Sequence, residues 1–382
     1  MQKFIFPFFS LFLLVFFTTC TPKIKPDLTT PRPDETLEHD KQMDQAVQNI
    51  ILLIGDGMGL AQISTRYYYG GTPVFNRFHH IGLHENSPVG AKITDSAAGA
   101  TAFSTGYKTY NGAIGLDGDT ISRTTIAEIA HQNQKLNGLI ATSSITHATP
   151  ASFYAHVKSR KMEEAIAAQL VNAPIDFFAG GGRQFFDQRA DGVDALAQLR
   201  QKGFQVITQK LGQGQLNSQQ KYAYLLADNE MPKMQNGRGD FLPEATQLAI
   251  NYLAQQDEGF FLMVEGSQID WGGHANDGDY IIEEMKDFDA TIKVALDFAE
   301  KAGNTLVIVT ADHETGGFSL SAAKIFGKRD YRQIQPTFST GGHSAALIPV
   351  FAYGPGAEKY AGIYPNNALF GKMINSFGFH LK

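Results

Sequence analysis

Carboxylate and imidazole side chains recur directly after short apolar runs that we predict to be β-strands. Asp56 follows the first run in GDGMG, and Glu265 follows a later run in VEGSQIDWGGH. The set continues with Asp270, His274, Asp312 and His313, where His274 comes four residues after Asp270. It ends with His343, which precedes the last predicted strand. Oxygen and imidazole ligands without thiolates suit Zn²⁺ and harder cations. Each residue alone could be a helix cap, a turn former or a hydrogen-bonded core residue. Because such a structural role would have to hold at every position together, we predict a metal centre.

The segment TDSAAGATAFSTG places a serine where a helix should begin. Ser96 follows Asp95 and opens a run of small residues, 97–105, that can form a helix. The first turn of a helix offers unpaired backbone N–H groups and the positive end of the helix dipole. Those groups favour a serine alkoxide and bind a transferred phosphate. The alternative from this segment alone is that Asp95 or Ser96 is simply the N-cap.

A third segment, THATPASFYAHVKSRK, carries His147, Thr149, His156 and Arg160. An arginine guanidinium can donate two parallel hydrogen bonds to phosphate oxygens, which a lysine cannot reproduce. By spacing alone, however, the favoured interpretation of Arg160 is a solvated arginine on a helix. Arg160 is therefore predicted to bind phosphate only when this segment is considered together with the Ser96 segment and the carboxylate and imidazole set.

Continuous apolar runs alternate with helix-like segments from Gln48 onward. Such runs are typical of strands buried on both faces of a sheet. The predicted strands are residues 49–54, 138–142, 175–178, 223–226, 260–264, 305–309 and 350–353. The predicted helices are residues 124–134, 162–171, 193–202, 243–255 and 280–301. The alternation predicts an α/β fold, a three-layer α/β/α sandwich around a mostly parallel central sheet. The active site is expected at the C-terminal ends of the strands.

Three further segments are predicted to be loops. Residues 211–220 and 231–240 are rich in Gln, Asn and Gly and are predicted surface loops. Residues 318–340 form a long predicted loop with several basic side chains. These are Lys324, Lys328, Arg329 and Arg332. They could form a basic rim that attracts anionic substrates, but an ordinary solvated surface is the favoured interpretation.

The composition of the 382 residues excludes several classes of protein. A formal net charge of −6, from 32 basic and 38 acidic residues, gives no electrostatic footprint for nucleic acid. An apolar content of 43% is ample for a large core, which excludes general disorder. The single cysteine excludes an internal disulfide and a zinc site made of several thiolates.

The N-terminal residues predict export from the cytoplasm. Residues 1–19 combine one charge, on Lys3, with an apolar run of the length found in signal peptides. Cys20 follows directly and resembles the acylated cysteine of a bacterial lipoprotein; the alternative is an ordinary signal peptide with an incidental cysteine. Residues 20–45 are rich in proline and suit an extended tether, and residues 46–382 are the predicted functional domain. We expect a secreted protein, periplasmic or anchored to the outer membrane by lipid on Cys20 and contacting membranes in no other way.

Six blocks of the sequence resemble, in order, the signature segments of the serine-type bacterial alkaline phosphatases. The blocks are GDGMG, TDSAAGATAFSTGYKTYNGAIG, HATPASFYAHVKSRK, VEGSQIDWGGHAND, VTADHETGG and GGHSAALIPVFAYGP. They span about residues 49–356, nearly the whole predicted domain, and the second and fourth blocks are highly specific. The resemblance implies that residues 46–382 are a catalytic domain that hydrolyses small phosphate monoesters with two Zn²⁺ ions and one Mg²⁺ ion. It also implies a homodimer, since the family is commonly dimeric.

The resemblance implies a role for each matching residue. Ser96 matches the nucleophile that becomes phosphoserine, and Arg160 matches the arginine that binds the phosphate oxygens. The ligands of one zinc ion are matched by Asp270, His274 and His343. The ligands of the second zinc ion are matched by Asp56, Asp312 and His313. The magnesium ligands are matched by Asp56, Thr149 and Glu265.

Two positions depart from the best-known bacterial members of the family, which have Asp at the position of His147 and Lys at that of Trp271. His147 could hydrogen-bond the waters of a magnesium ion, or bind a metal itself if zinc replaces magnesium. Trp271 either replaces a phosphate-facing cation with an indole that only donates, or is a packing residue at the wall of the site. We expect both His147 and Trp271 to contact the substrate. Compared with family members that have Asp and Lys at these positions, this protein is expected to bind product phosphate and magnesium more weakly.

Other functions remain open from the sequence. The nearest is a phosphodiesterase or a sulfatase of the same metal-hydrolase superfamily. Such sulfatases carry a modified Cys or Ser in a C/S-x-P-x-R context, whereas Ser96 is followed by Ala-Ala-Gly. Diesterases of the superfamily commonly use Thr and lack the arginine, so Arg160 favours monoesters. A non-catalytic lipoprotein that binds phosphate or metal would need neither the serine nor both zinc sites.

Overall fold

Strands and helices alternate along the chain, whose computed structural model describes residues 46–212, 214–325 and 327–380. The predicted signal peptide, the tether and Cys20 lie outside those residues. The strands are β1 (Asn49–Gly55), β2 (His80–Glu85), β3 (Leu136–Ser144), β4 (Phe177–Gly181), β5 (Phe204–Ile207), β6 (Lys221–Leu225), β7 (Phe260–Gly266), β8 (Thr305–Thr310), β9 (Glu314–Thr315), β10 (Ser319–Ile325), β11 (Lys328–Thr337), β12 (His343–Ser344), β13 (Ile348–Tyr353) and β14 (Gly362–Pro365). The helices are α1 (Leu60–Tyr68), α2 (Ser96–Thr105), α3 (Ile126–Gln132), α4 (Ala148–Ala151), α5 (Glu163–Leu170), α6 (Gln184–Asp187), α7 (Ala195–Gln201), α8 (Phe241–Leu253), α9 (Gln268–His274), α10 (Gly278–Ala302) and α11 (Ala368–Phe377). None of the helices within the described ranges is long and apolar enough to cross a membrane.

Within the described residues, ten strands form one central sheet in the order β14-β2-β13-β8-β1-β7-β3-β4-β6-β5. Neighbouring strands run parallel except at β13, which is antiparallel to both β8 and β2. Every residue of β1, β7 and β8 is buried, as their continuous apolar runs predict. In the pairing register Ile54 of β1 lies opposite Glu265 of β7 and Thr310 of β8. The C-terminal ends of these three strands therefore meet at one edge of the sheet.

Helices cover both faces of this sheet. Successive side chains of a strand point to opposite faces, and those of β1 join two separate apolar clusters. Ile50 and Leu52 pack with residues of α2, α3, α5, α7 and α11. Ile51 and Leu53 pack with residues of α1, α8 and α10. The predicted three-layer α/β/α sandwich is confirmed, and each predicted strand and helix is present with its ends shifted by up to three residues.

The predicted loop over residues 318–340 is wrong, because most of it forms a two-stranded antiparallel sheet of β10 and β11. Hydroxyl groups support the pairing, since the side chains of Ser319 and Ser321 each lie 2.8 Å from the hydroxyl of Thr337. Most described side chains of β11 are exposed or half-buried. The alternating apolar positions are few, with Leu320 and Ala322 opposite Pro336 and Ile334. This pattern is too short to predict either strand.

Strand β2 has no counterpart among the predicted strands, because its buried positions are not apolar. Gly82 and His84 are buried while Ile81 is 51% exposed. The strand matters for the site at the sheet edge. His84 Nε2 donates to the carbonyl of Ala311 at 3.0 Å, and Asn86, just beyond β2, donates to the carbonyl of Asp312 at 3.0 Å. These two bonds brace the backbone that leaves β8.

The predicted surface loop over residues 231–240 is partly buried. Arg238 is 8% exposed and pairs with Glu284 and, at 2.8 Å, with Asp287, both on α10. A buried arginine needs such partners, because its charge is costly to remove from water. The loop is therefore fixed to α10 by charge, which its Gln, Asn and Gly content does not indicate.

Candidate active site

Three buried carboxylates lie at the edge where β1, β7 and β8 end. Asp56 follows β1, Glu265 is near the end of β7, Asp312 follows β8, and all three are fully buried. The turn after β1 can approach its neighbours because Gly57 has no side chain. A Cβ there would lie 2.7 Å from the Cα of Asp270, and the φ of Gly57 is 72°. The Gly57 N–H donates to Asp312 Oδ1 at 3.2 Å, which links the ends of β1 and β8.

Ser96 is the first residue of α2 and faces these carboxylates. Asp95 is the N-cap, and its side chain accepts from the N–H of Ala98 at 3.0 Å. Both interpretations of this segment therefore hold together: Asp95 caps the helix, and Ser96 is free to point into the site. Ser96 Oγ lies 3.3 Å and 3.4 Å from the two oxygens of Asp56 and 3.3 Å from His313 Nε2.

The small residues of α2 allow the helix to lie deep in the molecule. All 10 of its residues are buried. A Cβ at Gly99 would lie 2.9 Å from the Cβ of Asp312, so a larger residue would push the helix away from that carboxylate. The helix ends at Gly106, which has a left-handed φ of 80°. The position of Ser96 is thus set by the packing of the whole helix.

Two adjacent groups of ligand-type side chains surround Ser96. Asp56, Asp312 and His313 form the first group, and their ligand atoms lie within 4.8 Å of one another. His313 Nε2 is 3.3 Å from Asp312 Oδ2 and 3.4 Å from Asp56 Oδ1. Burial lowers the pKa of His313 to about 3, so its imidazole is neutral and can act as a ligand.

The second group shares His313 with the first. Asp270, His313 and His343 offer ligand atoms within 4.8 Å of one another. His274 joins them, since its Nε2 is 3.4 Å from Asp270 Oδ2 and 3.0 Å from His343 Nε2. The rings of His313 and His343 stack with centroids 3.6 Å apart. The two groups are therefore neighbours, as a two-metal centre requires.

Hydrogen bonds on the far side of each imidazole aim its Nε2 into the site. His343 Nδ1 donates to the carbonyl of Thr94 at 2.8 Å, and His274 Nδ1 donates to that of Gly341 at 2.8 Å. Since a carbonyl only accepts, each Nδ1 carries a proton, and the Nε2 of each ring is the atom that faces the site and could bind a metal. The Thr315 hydroxyl lies 3.2 Å from His313 Nδ1 and donates to Asp270. Thr315 is not among the residues predicted for the site. Its position two residues after His313, a predicted metal ligand, was the feature of the sequence that could have identified it.

A third group lies beside the first. Asp56, His147 and Glu265 offer ligand atoms within 4.8 Å of one another. Glu265 Oε2 accepts from Ser267 at 2.6 Å and from Ser143 at 3.2 Å. The other oxygen of Glu265 and the hydroxyl of Thr149 are buried. Thr149 contacts the Glu265 carboxylate and lowers its pKa, but neither atom has a well-formed partner among the other described residues. Buried polar atoms normally have a partner, so these two oxygens are suited to a cation.

The carboxylates of the site repel one another. Burial raises the pKa of Asp56 well above its usual range, and the charges of Asp312, Asp270 and Glu265 raise it further. Burial also raises the pKa of Asp312 and brings the pKa of Glu265 to about 7. The guanidinium of Arg160 lowers the pKa of Asp56, but this effect is smaller than those of burial and of the neighbouring carboxylates. Divalent cations would supply the positive charge that this set of carboxylates needs.

Arg160 lies in a turn before α5 and reaches back to the first turn of α2. Its NH1 group is 3.3 Å from Asp95 Oδ2, and its NH2 group donates to His147 Nε2 at 2.9 Å. Burial and the charge of Arg160 lower the pKa of His147 to about 3, so the ring is neutral and accepts. Trp271 packs edge-to-face on His147, with ring centroids 6.1 Å apart. The interpretation of Arg160 as a solvated helix arginine is wrong.

One histidine of the THATPASFYAHVKSRK segment lies outside the site. His156 Nδ1 is 2.9 Å from the carbonyl of Gly115, and its Nε2 is 3.3 Å from Glu128. The structure brings together the other candidate residues. These are Asp56, Ser96, His147, Thr149, Arg160, Glu265, Asp270, Trp271, His274, Asp312, His313 and His343.

Known proteins resemble the chain over nearly all of its described length. The family profile described as alkaline phosphatase matches residues 47–337. Alkaline phosphatase 3 of Bacillus subtilis is 32% identical, over 92% of this chain and 93% of the relative. The alkaline phosphatase of Escherichia coli is 32% identical, over 89% of this chain and 88% of the relative.

Solved structures give the same result. The alkaline phosphatase from the Antarctic bacterium TAB5 is 52% identical, covers 88% of this chain and 99% of its own, and superposes with a TM-score of 0.86. Two further structures are variants of the TAB5 enzyme in which one histidine is replaced by Asp or by Glu. Both variants hold Mg in a site called M3.

Proposed function

The chain belongs to the alkaline phosphatase family and is a phosphoric monoester hydrolase, and we propose that it acts through a phosphoserine on Ser96. The position of Ser96 carries this proposal. Its hydroxyl lies at a helix N-terminus, 3.3 Å from both an Asp56 oxygen and His313 Nε2. A phosphoryl group on this oxygen would meet the N–H groups of the helix, whose dipole favours an anion.

The donor atoms fit the two zinc ions and one magnesium ion that we propose. Imidazole combined with carboxylate suits zinc, whereas the carboxylate oxygen of Glu265 and the hydroxyl of Thr149, which have no well-formed partner beyond each other, suit magnesium. We propose that one zinc ion is held by Asp270, His274 and His343. The second zinc ion would be held by Asp56, Asp312 and His313. The magnesium ion would be held by Asp56, Thr149 and Glu265.

In the proposed reaction the chain binds and orients the phosphoryl group. When bound, the ions supply positive charge that stabilises negative charge on the reacting oxygens and lowers the pKa of hydroxyl groups beside them. The Ser96 oxygen attacks phosphorus and passes its proton to solvent, while the bond between phosphorus and the alcohol oxygen breaks and that oxygen takes a proton from water. A second water later hydrolyses the phosphoserine, which releases phosphate and restores the Ser96 hydroxyl. Arg160 donates to two phosphate oxygens with the NH1 and NH2 groups that contact Asp95 and His147.

We expect a chelator to abolish the hydrolysis of a chromogenic phosphate monoester at alkaline pH, and zinc plus magnesium to restore it. The reason is that the buried carboxylates repel one another and need added positive charge to be ionised together. The measurement is the initial rate before chelation, after chelation, and after addition of each metal alone and of both. An aryl diester and an aryl sulfate serve as comparison substrates. Full activity without metal, or faster hydrolysis of either comparison substrate, would contradict the proposal.

His147→Asp is expected to raise the affinity for magnesium by about tenfold or more, a typical effect of groups beside metal ligands. Asp offers hard oxygens beside Glu265 and still accepts from Arg160, whereas a neutral histidine offers nitrogen. The TAB5 variants with Asp or Glu in place of a histidine, which hold Mg, support this expectation. The measurement is the magnesium concentration that half-restores the zinc-loaded enzyme. The control is the same substitution at the exposed His131, which should leave magnesium affinity unchanged. An unchanged magnesium affinity in His147→Asp would contradict the proposed effect of His147 on the magnesium site.

Export and lipid attachment at Cys20, with a homodimer as the assembly, complete the proposed function. They are supported by the apolar run and lone cysteine of the N-terminus and by membership of the family. Small phosphate monoesters are the proposed substrates. Arg160 binds the phosphoryl group and not the alcohol part of the substrate, so we expect broad specificity for the alcohol.

A further inference from the structure

We propose that Asn111 is a positioning residue that holds Arg160 in place relative to Ser96, an inference that rests on the roles proposed above for those two residues. Asn111 lies in the segment GYKTYNGAIG, its side chain touches none of the proposed metal ligands, and the proposed reaction gives it no task. It is an exposed residue whose side chain and neighbouring carbonyl reach both halves of the phosphate-binding site.

The side-chain amide of Asn111 fixes the backbone that leads into the nucleophile. Its Oδ1 accepts from the N–H of Asp95 at 3.0 Å, and its Nδ2 donates to the carbonyl of Ile93 at 3.0 Å. The amide therefore binds this segment on both sides of Thr94, whose own carbonyl accepts from His343. The residues just before Ser96 are thus held from two directions.

The next residue fixes the arginine. The carbonyl of Gly112 accepts from the backbone N–H of Arg160 at 2.7 Å. The guanidinium of Arg160 in turn lies 3.3 Å from Asp95 Oδ2. The contacts form a closed ring that passes from Asn111 to Asp95, to Arg160 and back through Gly112. The helix that carries Ser96 begins inside this ring, because Asp95 is its N-cap.

The turn that closes the ring has a defined backbone geometry. The N–H of Ala113 donates to the carbonyl of Tyr110 at 3.2 Å, and Gly112 has a φ of 90°. A positive φ at the third residue of a turn is the mark of type II, which requires glycine or asparagine there. No described atom lies within 4 Å of a Cβ added at Gly112. Glycine is therefore needed for its backbone angle and not for space.

Loss of the ring should affect how well phosphate is held rather than whether the protein folds. Arg160 must place two donors on phosphate oxygens while Ser96 approaches phosphorus, and misplacement by about 1 Å can cost up to about 100-fold in rate. We expect Asn111→Ala to lower kcat/KM about tenfold and to weaken inhibition by inorganic phosphate by a similar factor. The zinc content and the Tm should not change, because Asn111 is exposed and touches no ligand.

The experiment is a double-mutant cycle with Arg160→Ala, measured as kcat/KM on a chromogenic monoester and as inhibition by inorganic phosphate. If Asn111 acts through Arg160, Asn111→Ala should change both values less than about twofold in the Arg160→Ala background. Gly112→Ala would strain the same turn, because alanine disfavours the positive φ of this position. It should lower kcat/KM and weaken phosphate inhibition in the same way as Asn111→Ala, and these effects should also be small in the Arg160→Ala background. Asn217→Ala is the matched control, an exposed asparagine whose side chain accepts from the N–H of Gln219.

The kinetics of these variants distinguish failure of this inference from failure of the proposed function. Wild-type kinetics in Asn111→Ala, with Arg160→Ala impaired, would overturn this inference and leave the proposed function intact. A full effect of Asn111→Ala in the Arg160→Ala background would also overturn it, because the residue would then act by another route. Unimpaired phosphate binding in Arg160→Ala would overturn both this inference and the proposed role of Arg160.

Discussion

Ser96→Ala is expected to lower kcat for phosphate monoesters by about 10³-fold or more, the scale seen when a covalent nucleophile is removed. Alanine keeps the first turn of α2 and leaves Asp95 as its cap, so the loss would be chemical and not structural. Arg160 and the ligand groups would remain, which is why residual hydrolysis above the uncatalysed rate is expected. The measurements are the steady-state rate and the labelling of the protein by radioactive phosphate trapped at low pH.

A matched control for this variant lies on the same helix. Ser104 is buried like Ser96, but its hydroxyl lies 3.3 Å from the carbonyl of Thr101 and faces no ligand. Ser104→Ala should keep its kcat within about twofold and should still be labelled. If Ser96→Ala turned over at the wild-type rate, or still trapped phosphate, the phosphoserine would not be formed on Ser96.

Asp56→Asn is expected to change stability in opposite directions with and without metal. Asp56 belongs to two of the three ligand groups and lies within 3.4 Å of Ser96 and His313. Its pKa is raised by burial and by like charges, so the charged form destabilises the metal-free fold. Removing that charge should raise the Tm of the chelated protein at pH values above the ordinary pKa of an aspartate, where the unfolded chain ionises readily and the folded chain does not.

With metal present the same variant should be less stable and nearly inactive. A ligand shared by two sites is lost, so zinc and magnesium bind more weakly and contribute less to stability. We expect kcat/KM to fall by about 10³-fold. Metal content after dialysis and the Tm with and without chelator are the readouts. Asp287→Asn is the control: Asp287 is buried and paired with Arg238, and its loss should leave the metal content unchanged. A wild-type metal content in Asp56→Asn would contradict its role as a shared ligand.

The strands that position the site could be predicted from the sequence because they are buried on both faces. The runs that became β1, β7 and β8 are continuously apolar and short, and their length favours a buried strand over a buried helix, which would need a longer run. The ligands after them followed from a rule about parallel sheets, that the carboxyl ends of the strands meet. Ser96 followed from the position of a serine before a run of small residues. None of these predictions required a contact between distant side chains to be known.

The elements that could not be predicted depend on contacts that a sequence pattern does not record. Strand β2 buries a glycine and a histidine and exposes an isoleucine, so its pattern is the reverse of a normal strand. The hairpin of β10 and β11 has only a short apolar face, in which Leu320 and Ala322 lie opposite Pro336 and Ile334. By spacing alone Arg160 resembles a surface arginine, because its partners Asp95 and His147 are brought beside it only by the fold. Thr315 and Asn111 act through hydrogen bonds that only the fold brings within reach.

The order of strands in the central sheet has a consequence for how this protein folds. β1 lies between β7 and β8, which come more than two hundred residues later in the sequence. No early segment of the chain therefore contains a complete ligand group, and pairings of such long range form slowly. A divalent ion can bind with full affinity only after the middle of the sheet is assembled. Metal bound at these groups would therefore stabilise the assembled sheet and not an early stage of its formation.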